Sequence, residues 1–136
     1  MARIALGNSD FRTLRRAGAL YVDKTAAIAG LVDSEARVTL YCRPRRFGKT
    51  LFLSTLRYFL EASEEDRSDL FEGLAVWQSP EARIHFQRYP VLWFSFKEVK
   101  GQKWADVWEM LVGVLQRACE PFAALETDAR LSERER

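Results

Sequence analysis

Apolar and polar positions along the chain follow two rhythms, a helical period near 3.6 residues and short continuous apolar runs, and together they mark out helices and strands. Phe11 and Leu14 fall on one side of a first short helix, which Asn8 or Ser9 is placed to cap and Gly18 to stop. Arg12, Arg15 and Arg16 then belong to its solvent side. Ala19 to Thr25 begins extended and turns into a second helix, where Ile28, Leu31 and Val32 repeat at helical spacing and Asp23 is the expected N-cap. Ser34 and Glu35 turn the chain into Val38–Cys42, an apolar, β-branched run that predicts a strand. Beyond a basic turn, Leu51, Leu53, Leu56, Phe59 and Leu60 give the next helix a wide apolar face of the kind that packs on a sheet.

The second half repeats the alternation. Ser63 with Asp66 has the spacing of a capping box before a short helix through Leu70 and Phe71, which ends near Gly73. Ser79 and Pro80 form an N-cap and N1 pair opening a helix toward Gln87, and Tyr89-Pro90 breaks it. Val91–Phe96 is a continuous apolar run without helical period, the pattern of a strand buried on both faces of a parallel sheet. Trp104, Val107, Trp108, Leu111, Leu115 and Ala118 mark an amphipathic helix that stops before Pro121, and the charged tail from Glu126 to Arg136 predicts fraying or a loose helix. The expected fold is α/β: a P-loop NTPase-like parallel sheet with flanking helices, incomplete at the C-terminal side. Residues 1–36 would be a helical lead-in and 37–136 the strand-helix core of a single domain.

Composition changes little in that picture. The chain has 136 residues, 48% of them hydrophobic and 12% aromatic, enough for one packed core. A net charge of +2 gives no global reason to expect a nucleic-acid or membrane protein, because the basic character is concentrated at Arg43, Arg45, Arg46 and Lys49. Cys42 and Cys119 form no CxxC pair and have no metal-type spacing with His85, so they read as buried thiols of a reducing cytosol, and His85 as a surface or satisfied histidine. Two of the four tryptophans sit on the last helical stripe, which favours packing over base stacking. No apolar run approaches the ~20 residues of a membrane span. Met1 leads into mixed sequence rather than a signal peptide, so the expected location is cytoplasmic.

The candidate chemistry lies between the first strand and the long helix. Residues 43–50 (RPRRFGKT) match the phosphate-binding pattern GxxxxGK[ST] at every fixed position except the first, where Arg43 replaces glycine. Gly48 lets the backbone approach a phosphate, and the amides that follow it point at the anion from a helix N-terminus. Lys49 supplies a point charge for the β- and γ-phosphates, and the Thr50 hydroxyl is suited to the Mg²⁺ that accompanies ATP. Arg43 and Pro44 leave the loop with fewer backbone donors than a glycine-rich one, a loss that the guanidinium forks of Arg45 and Arg46 can offset. A Gly-Lys-Thr triplet also arises by chance in turns, but the motif requires a strand before it and a helix after it, and the pattern predicts both. Asp23 and Lys24 read as a helix cap and a solvated charge, with a nucleotide contact as the alternative.

Four stretches, GNSDFRTLRRAGALYVDKT, RVTLYCRPRRFGKTLFLSTLRYF, DLFEGLAV and YPVLWFSFKEV, resemble in order and separation the N-terminal part of the bacterial AAA-ATPase-like proteins. The resemblance covers most of Leu6 to Trp108, and in that family a P-loop ATPase domain is often followed by a PD-(D/E)XK nuclease-like domain. It implies ATP and Mg²⁺ as cofactors, with Arg45, Arg46, Phe47, Gly48, Lys49 and Thr50 as the nucleotide-binding residues and Thr50 on the metal. It makes Arg43 a family trait, assigns Asp23 and Lys24 to a family motif without a stated role, and makes nucleic acid a possible partner through the nuclease-like domain.

One feature departs from the family. Its hydrolytic carboxylates follow a later apolar strand, whereas here the only candidate run ends in Lys97 and Glu98, with lysine where the Mg²⁺-side aspartate belongs. From Arg37 onward there is room for about three strand-helix units of roughly 30 residues each, and the pattern shows two strands. The expectation is the front part of an AAA-like ATPase that binds nucleotide without its Walker B segment. The alternatives are a module gripping nucleic-acid phosphates and a truncated, non-functional fragment. Because phosphoryl transfer needs a carboxylate to hold metal and orient water, the purified chain is expected to turn ATP over slowly. A steady-state phosphate-release assay checks this: turnover typical of an intact ATPase, abolished by Lys49→Ala, contradicts it.

Overall fold

The computed structural model describes residues 7–127. They divide into two compact units, one running to Val91 and the other from Leu92 onward.

In the first unit, α1 (Phe11–Arg16) is capped by Asp10 rather than by Asn8 or Ser9: the Asp10 carboxylate accepts the Thr13 N–H at 2.7 Å. Asn8 acts one step earlier, its Oδ1 accepting the Asp10 N–H at 2.9 Å. α2 (Ala26–Val32) follows Thr25, so Asp23 is not its cap. α3 (Lys49–Leu60) is the long helix that the apolar stripe predicts, although Leu53 is 43% exposed. The second oxygen of Asp10 accepts the Tyr58 hydroxyl at 3.0 Å, tying the cap of α1 to α3. Short 3₁₀ turns occupy Ser68–Leu70 and Ala75–Gln78. α4 (Pro80–Arg83) opens on Ser79, whose hydroxyl accepts the Ala82 N–H at 3.1 Å, as the Ser-Pro pair predicts. It does not reach Gln87, because that residue turns to φ +51° and gives its N–H to the Phe59 carbonyl at 2.7 Å.

The core of this unit is aromatic. Phe71 is fully buried and receives Phe11 of α1 at a ring distance of 5.0 Å, Phe59 of α3 at 5.2 Å and Phe86 at 5.6 Å. The last two meet edge to face, the geometry that the ring quadrupoles favour. Ile28, Phe52, Leu70, Leu74, Val76 and Ala82 complete the cluster. Arg15 does not simply face solvent. It donates to the Leu70 and Glu72 carbonyls at 2.8 and 2.9 Å, satisfying backbone acceptors of the segment that wraps Phe71. Arg12 and Arg16 share the Glu65 carboxylate.

The predicted parallel sheet is not formed: among the described residues there is no β-strand. Val38 and Leu40 are 87% and 83% exposed, and Leu92, Phe94 and Phe96 are each about half exposed rather than buried on both faces. Residues 38–42 and 91–96 have the side chains of strands. A strand, however, is completed by a neighbour that takes its N–H and C=O groups, and the described residues supply no such ladder to either run. One isolated parallel bridge joins Glu61 to Tyr89: the Tyr89 N–H donates to the Leu60 carbonyl at 2.9 Å and the Ala62 N–H to the Tyr89 carbonyl at 2.8 Å.

In the second unit, α5 (Trp104–Cys119) has the predicted extent and continues as 3₁₀ turns over Glu120–Thr127. None of its side chains is buried: Trp104 is 72% and Trp108 53% exposed, so these rings are not core residues as the stripe implied. Both cysteines are exposed as well, correcting the expectation of buried thiols. The charged tail beyond Thr127 lies outside the described residues. No described helix is long and apolar enough to cross a membrane.

Since Phe71 is the ring that Phe11, Phe59, Trp77 and Phe86 all approach, Phe71→Ala is expected to cost about 3–5 kcal/mol, the range for emptying a fully buried aromatic site. Urea unfolding checks this, and a loss below about 1 kcal/mol, the size of an ordinary surface effect, contradicts the assignment.

Candidate functional site

The loop at residues 43–50 is built outward from α3. Phe52 is buried and stacks on Tyr41, with ring centroids 4.5 Å apart and planes inclined by 19°, and the Arg43 guanidinium lies 5.5 Å from the Tyr41 ring centroid. The arm entering the loop is therefore fastened to the helix that leaves it. Within the loop the Phe47 N–H turns back to the Pro44 carbonyl at 3.4 Å. Arg46 takes φ +66° and Gly48 φ +74°. For Arg46 the left-handed region costs about 1–2 kcal/mol. Apart from its own chain neighbours, no described atom stands within 4 Å of where a Gly48 Cβ would lie, so what selects glycine is the backbone conformation rather than crowding.

α3 starts at Lys49, and its N-cap is Gly48, which makes no side-chain cap. The first N–H groups of a helix have no intrahelical acceptor, so this end presents uncapped donors with the positive end of the helix dipole behind them. The Lys49 amine folds back and donates to the Arg43 and Pro44 carbonyls at 2.5 and 3.0 Å, and Thr50 is exposed. A concavity of about 660 Å³ opens at this point, lined in part by Ser9, Arg46, Gly48, Lys49, Thr50 and Leu51. Four of the six residues assigned from the sequence thus border one space. Arg45 is exposed and does not border it, and Phe47 lines a neighbouring concavity that shares Gly48 with it.

Asp23, Lys24 and Thr25 acquire a structural account that cap reasoning missed. Asp23 Oδ1 accepts the Thr25 N–H at 2.8 Å and the Thr25 hydroxyl at 2.6 Å, while Oδ2 accepts the Ala75 N–H at 2.8 Å. The fully buried Thr25 oxygen in turn accepts the Val76 N–H at 3.1 Å. The pair latches the lead-in onto the 75–78 turn. Lys24, held between them, directs its amine to the Phe47 carbonyl of the loop at 3.5 Å. The detectable signal was the Asp-x-Thr spacing, in which a carboxylate bonds its own backbone two residues on. Burial works to raise the Asp23 pKa, but the hydrogen bonds from Thr25 and Ala75 and the charge of Arg15 outweigh it and hold it below its ordinary 3.8.

Metal-ligand chemistry finds little else to build on. Among the described residues, no group of three or more His, Cys, Asp or Glu side chains is arranged to hold a metal ion, and His85 pairs with the Tyr89 hydroxyl. Lys97 and Glu98 lie in a turn of the second unit.

Comparison with known proteins adds a family match over nearly the whole chain. The family model described as AAA-ATPase-like, "Predicted AAA-ATPase", matches residues 5–135. A protein of Azotobacter chroococcum mcd 1, described as "Uncharacterized protein in vnfD 5′ region", is 36% identical over 95 residues. That alignment covers 69% of this chain and 17% of the relative, so the chain spans a minor part of the relative's length. No solved structure matches.

The latch generates a pH dependence. With a folded pKa below the unfolded one, the Asp23 carboxylate contributes stability that is fully present above the ordinary carboxylate pKa and is lost as pH falls through the lowered value. Asp23→Ala is expected to destabilise by about 1–3 kcal/mol near neutral pH, the cost of orphaning buried donors. It is also expected to flatten the acid limb of stability. Urea melts between pH 7 and pH 3, read as the wild-type minus variant difference, check this: a difference that does not shrink on acidification contradicts the latch.

Proposed function

The chain belongs to the AAA-ATPase-like family of predicted AAA-ATPases, and on that premise we propose that residues 43–50 bind the phosphates of Mg²⁺-ATP. The observation that carries the reading is the uncapped N-terminus of α3, delivered to a concavity by a left-handed Gly48 and followed at once by Lys49 and Thr50. An anion there meets backbone N–H groups and a helix dipole without any rearrangement of the helix.

The residues present fit such a ligand. Lys49 is already at the loop, and transfer of its amine from the Arg43 and Pro44 carbonyls to phosphate oxygens exchanges neutral acceptors for charged ones, which make the stronger bonds. Arg46 borders the same concavity and can add charge to it, and Arg45, the residue before it, is exposed. Thr50 places a hydroxyl at the first turn of α3, where the motif uses it for Mg²⁺. Pro44 supplies no N–H, so binding leans on side-chain cations more than in a glycine-rich loop. The function proposed for the loop is binding. The activity, substrates and partners of a longer relative, a nucleic acid included, are not carried over from these residues.

Isothermal titration of the 136-residue chain with Mg²⁺-ATP tests the reading. Lys49→Ala is expected to weaken binding by at least tenfold, since a charge-assisted bond of about 1.5–3 kcal/mol is lost. Thr50→Ala is expected to remove the dependence on magnesium. If affinity instead collapses with salt in the manner of counterion release and is indifferent to Thr50→Ala, the loop grips nucleic-acid phosphates and the nucleotide reading is wrong.

A further inference from the structure

The lead-in segment before α2 leaves an apolar surface beside the loop. Tyr21 is anchored inward, its ring 5.2 Å from Phe11 and its hydroxyl 3.3 Å from Thr55 Oγ1. Leu20 and Val22, on either side of it, are 57% and 69% exposed. Phe47, in the loop itself, is also 57% exposed. All three line a concavity of about 330 Å³, together with Tyr21 and Lys24. Asn8, Arg46, Gly48 and Leu51 border both this concavity and the larger one at Lys49 and Thr50, so the two are neighbours that share Gly48.

We propose that this second concavity, walled by Leu20, Val22 and Phe47, holds the nucleobase of the nucleotide whose phosphates occupy the loop. The proposal rests on the phosphate-binding reading above and goes beyond it by naming where the rest of the ligand lies. A base is flat, apolar on its faces and polar at its rim. Phe47 and the two aliphatic side chains offer apolar surface to its faces, and Lys24 and Asn8, which border the same space, carry polar groups that its rim can use. The volume lies within the usual range for small-ligand sites, at its lower end. The Asp23-Thr25 latch gains a reason for its position: it holds Val22 and Lys24 in place by anchoring the next residue pair to the 75–78 turn.

The test compares Mg²⁺-ATP with Mg²⁺-tripolyphosphate by calorimetry, on the wild type and on Leu20→Ser/Val22→Ser. Both positions are exposed, so the substitutions spare the core. The wild type is expected to bind ATP more tightly than tripolyphosphate, and the double variant to lose about tenfold in ATP affinity, the scale of removing apolar contact, with its tripolyphosphate affinity unchanged. Equal ATP affinity in the two proteins overturns the base subsite and leaves the phosphate reading standing. Equal loss of both ligands also overturns it, because the residues would then be acting on the loop. Absence of binding of either ligand to the wild type overturns both readings. As a measurement independent of any variant, the Leu20 and Val22 methyl resonances of the wild type are expected to shift with ATP but not with tripolyphosphate; the same response to both contradicts the assignment.

Discussion

The first unit depends on the burial of one side of α3 against Phe71. Phe59 meets that ring edge to face, Phe11 brings α1 to it, and Phe52 is buried one turn into the helix. A helix held in this way has a fixed N-terminus, and everything proposed for the loop follows from that. The Tyr41-Phe52 stack fastens the incoming arm to the same helix, so the loop is gripped at both ends while its middle, from Arg45 to Phe47, remains exposed. The strain at Arg46 is supported by these two anchors, which over-determine the path between them.

Charge is arranged around this frame with a division of labour. Two acidic groups of the lead-in are used internally: Asp10 caps α1 and takes the Tyr58 hydroxyl, and Asp23 gathers three donors. Burial pushes both carboxylates up, but the hydrogen bonds they accept, with the charge of Arg12 at Asp10 and of Arg15 at Asp23, hold them below their ordinary pKa. Basic groups are left facing the concavity at the loop, where Arg46 and Lys49 converge with the dipole of α3. An anionic ligand meets positive potential there without a carboxylate lining the same space among the described residues.

Helices were legible where local chemistry decides them. The Ser79-Pro80 start of α4, the start of α3 after Gly48 and the extent of α5 all depend on caps and periodicity contained in a few residues. The Gly-Lys-Thr triplet is contiguous and the helix after it is formed, but the strand that the motif requires before it is not. What was not legible depends on distant groups. Val38–Cys42 and Val91–Phe96 carry strand-like side chains, yet pairing requires a second segment that no local pattern specifies. Asp23 was misread as a cap because its third donor, the Ala75 N–H, lies 52 residues away. Asp10 displaced Asn8 and Ser9 as the cap of α1 through a difference of one or two residues, the usual uncertainty of helix ends. Trp104 and Trp108 were assigned to the interior from the helical stripe and both cysteines from residue type, and neither determines what covers a surface.

The central claim is that a cationic turn fixed by a buried aromatic helix receives a nucleotide's phosphates. Backbone amide NMR on the labelled chain during a Mg²⁺-ATP titration tests it most directly. The account predicts saturating shifts concentrated in the amides of residues 46–51. Shifts confined to other segments, or none at millimolar nucleotide, would contradict it.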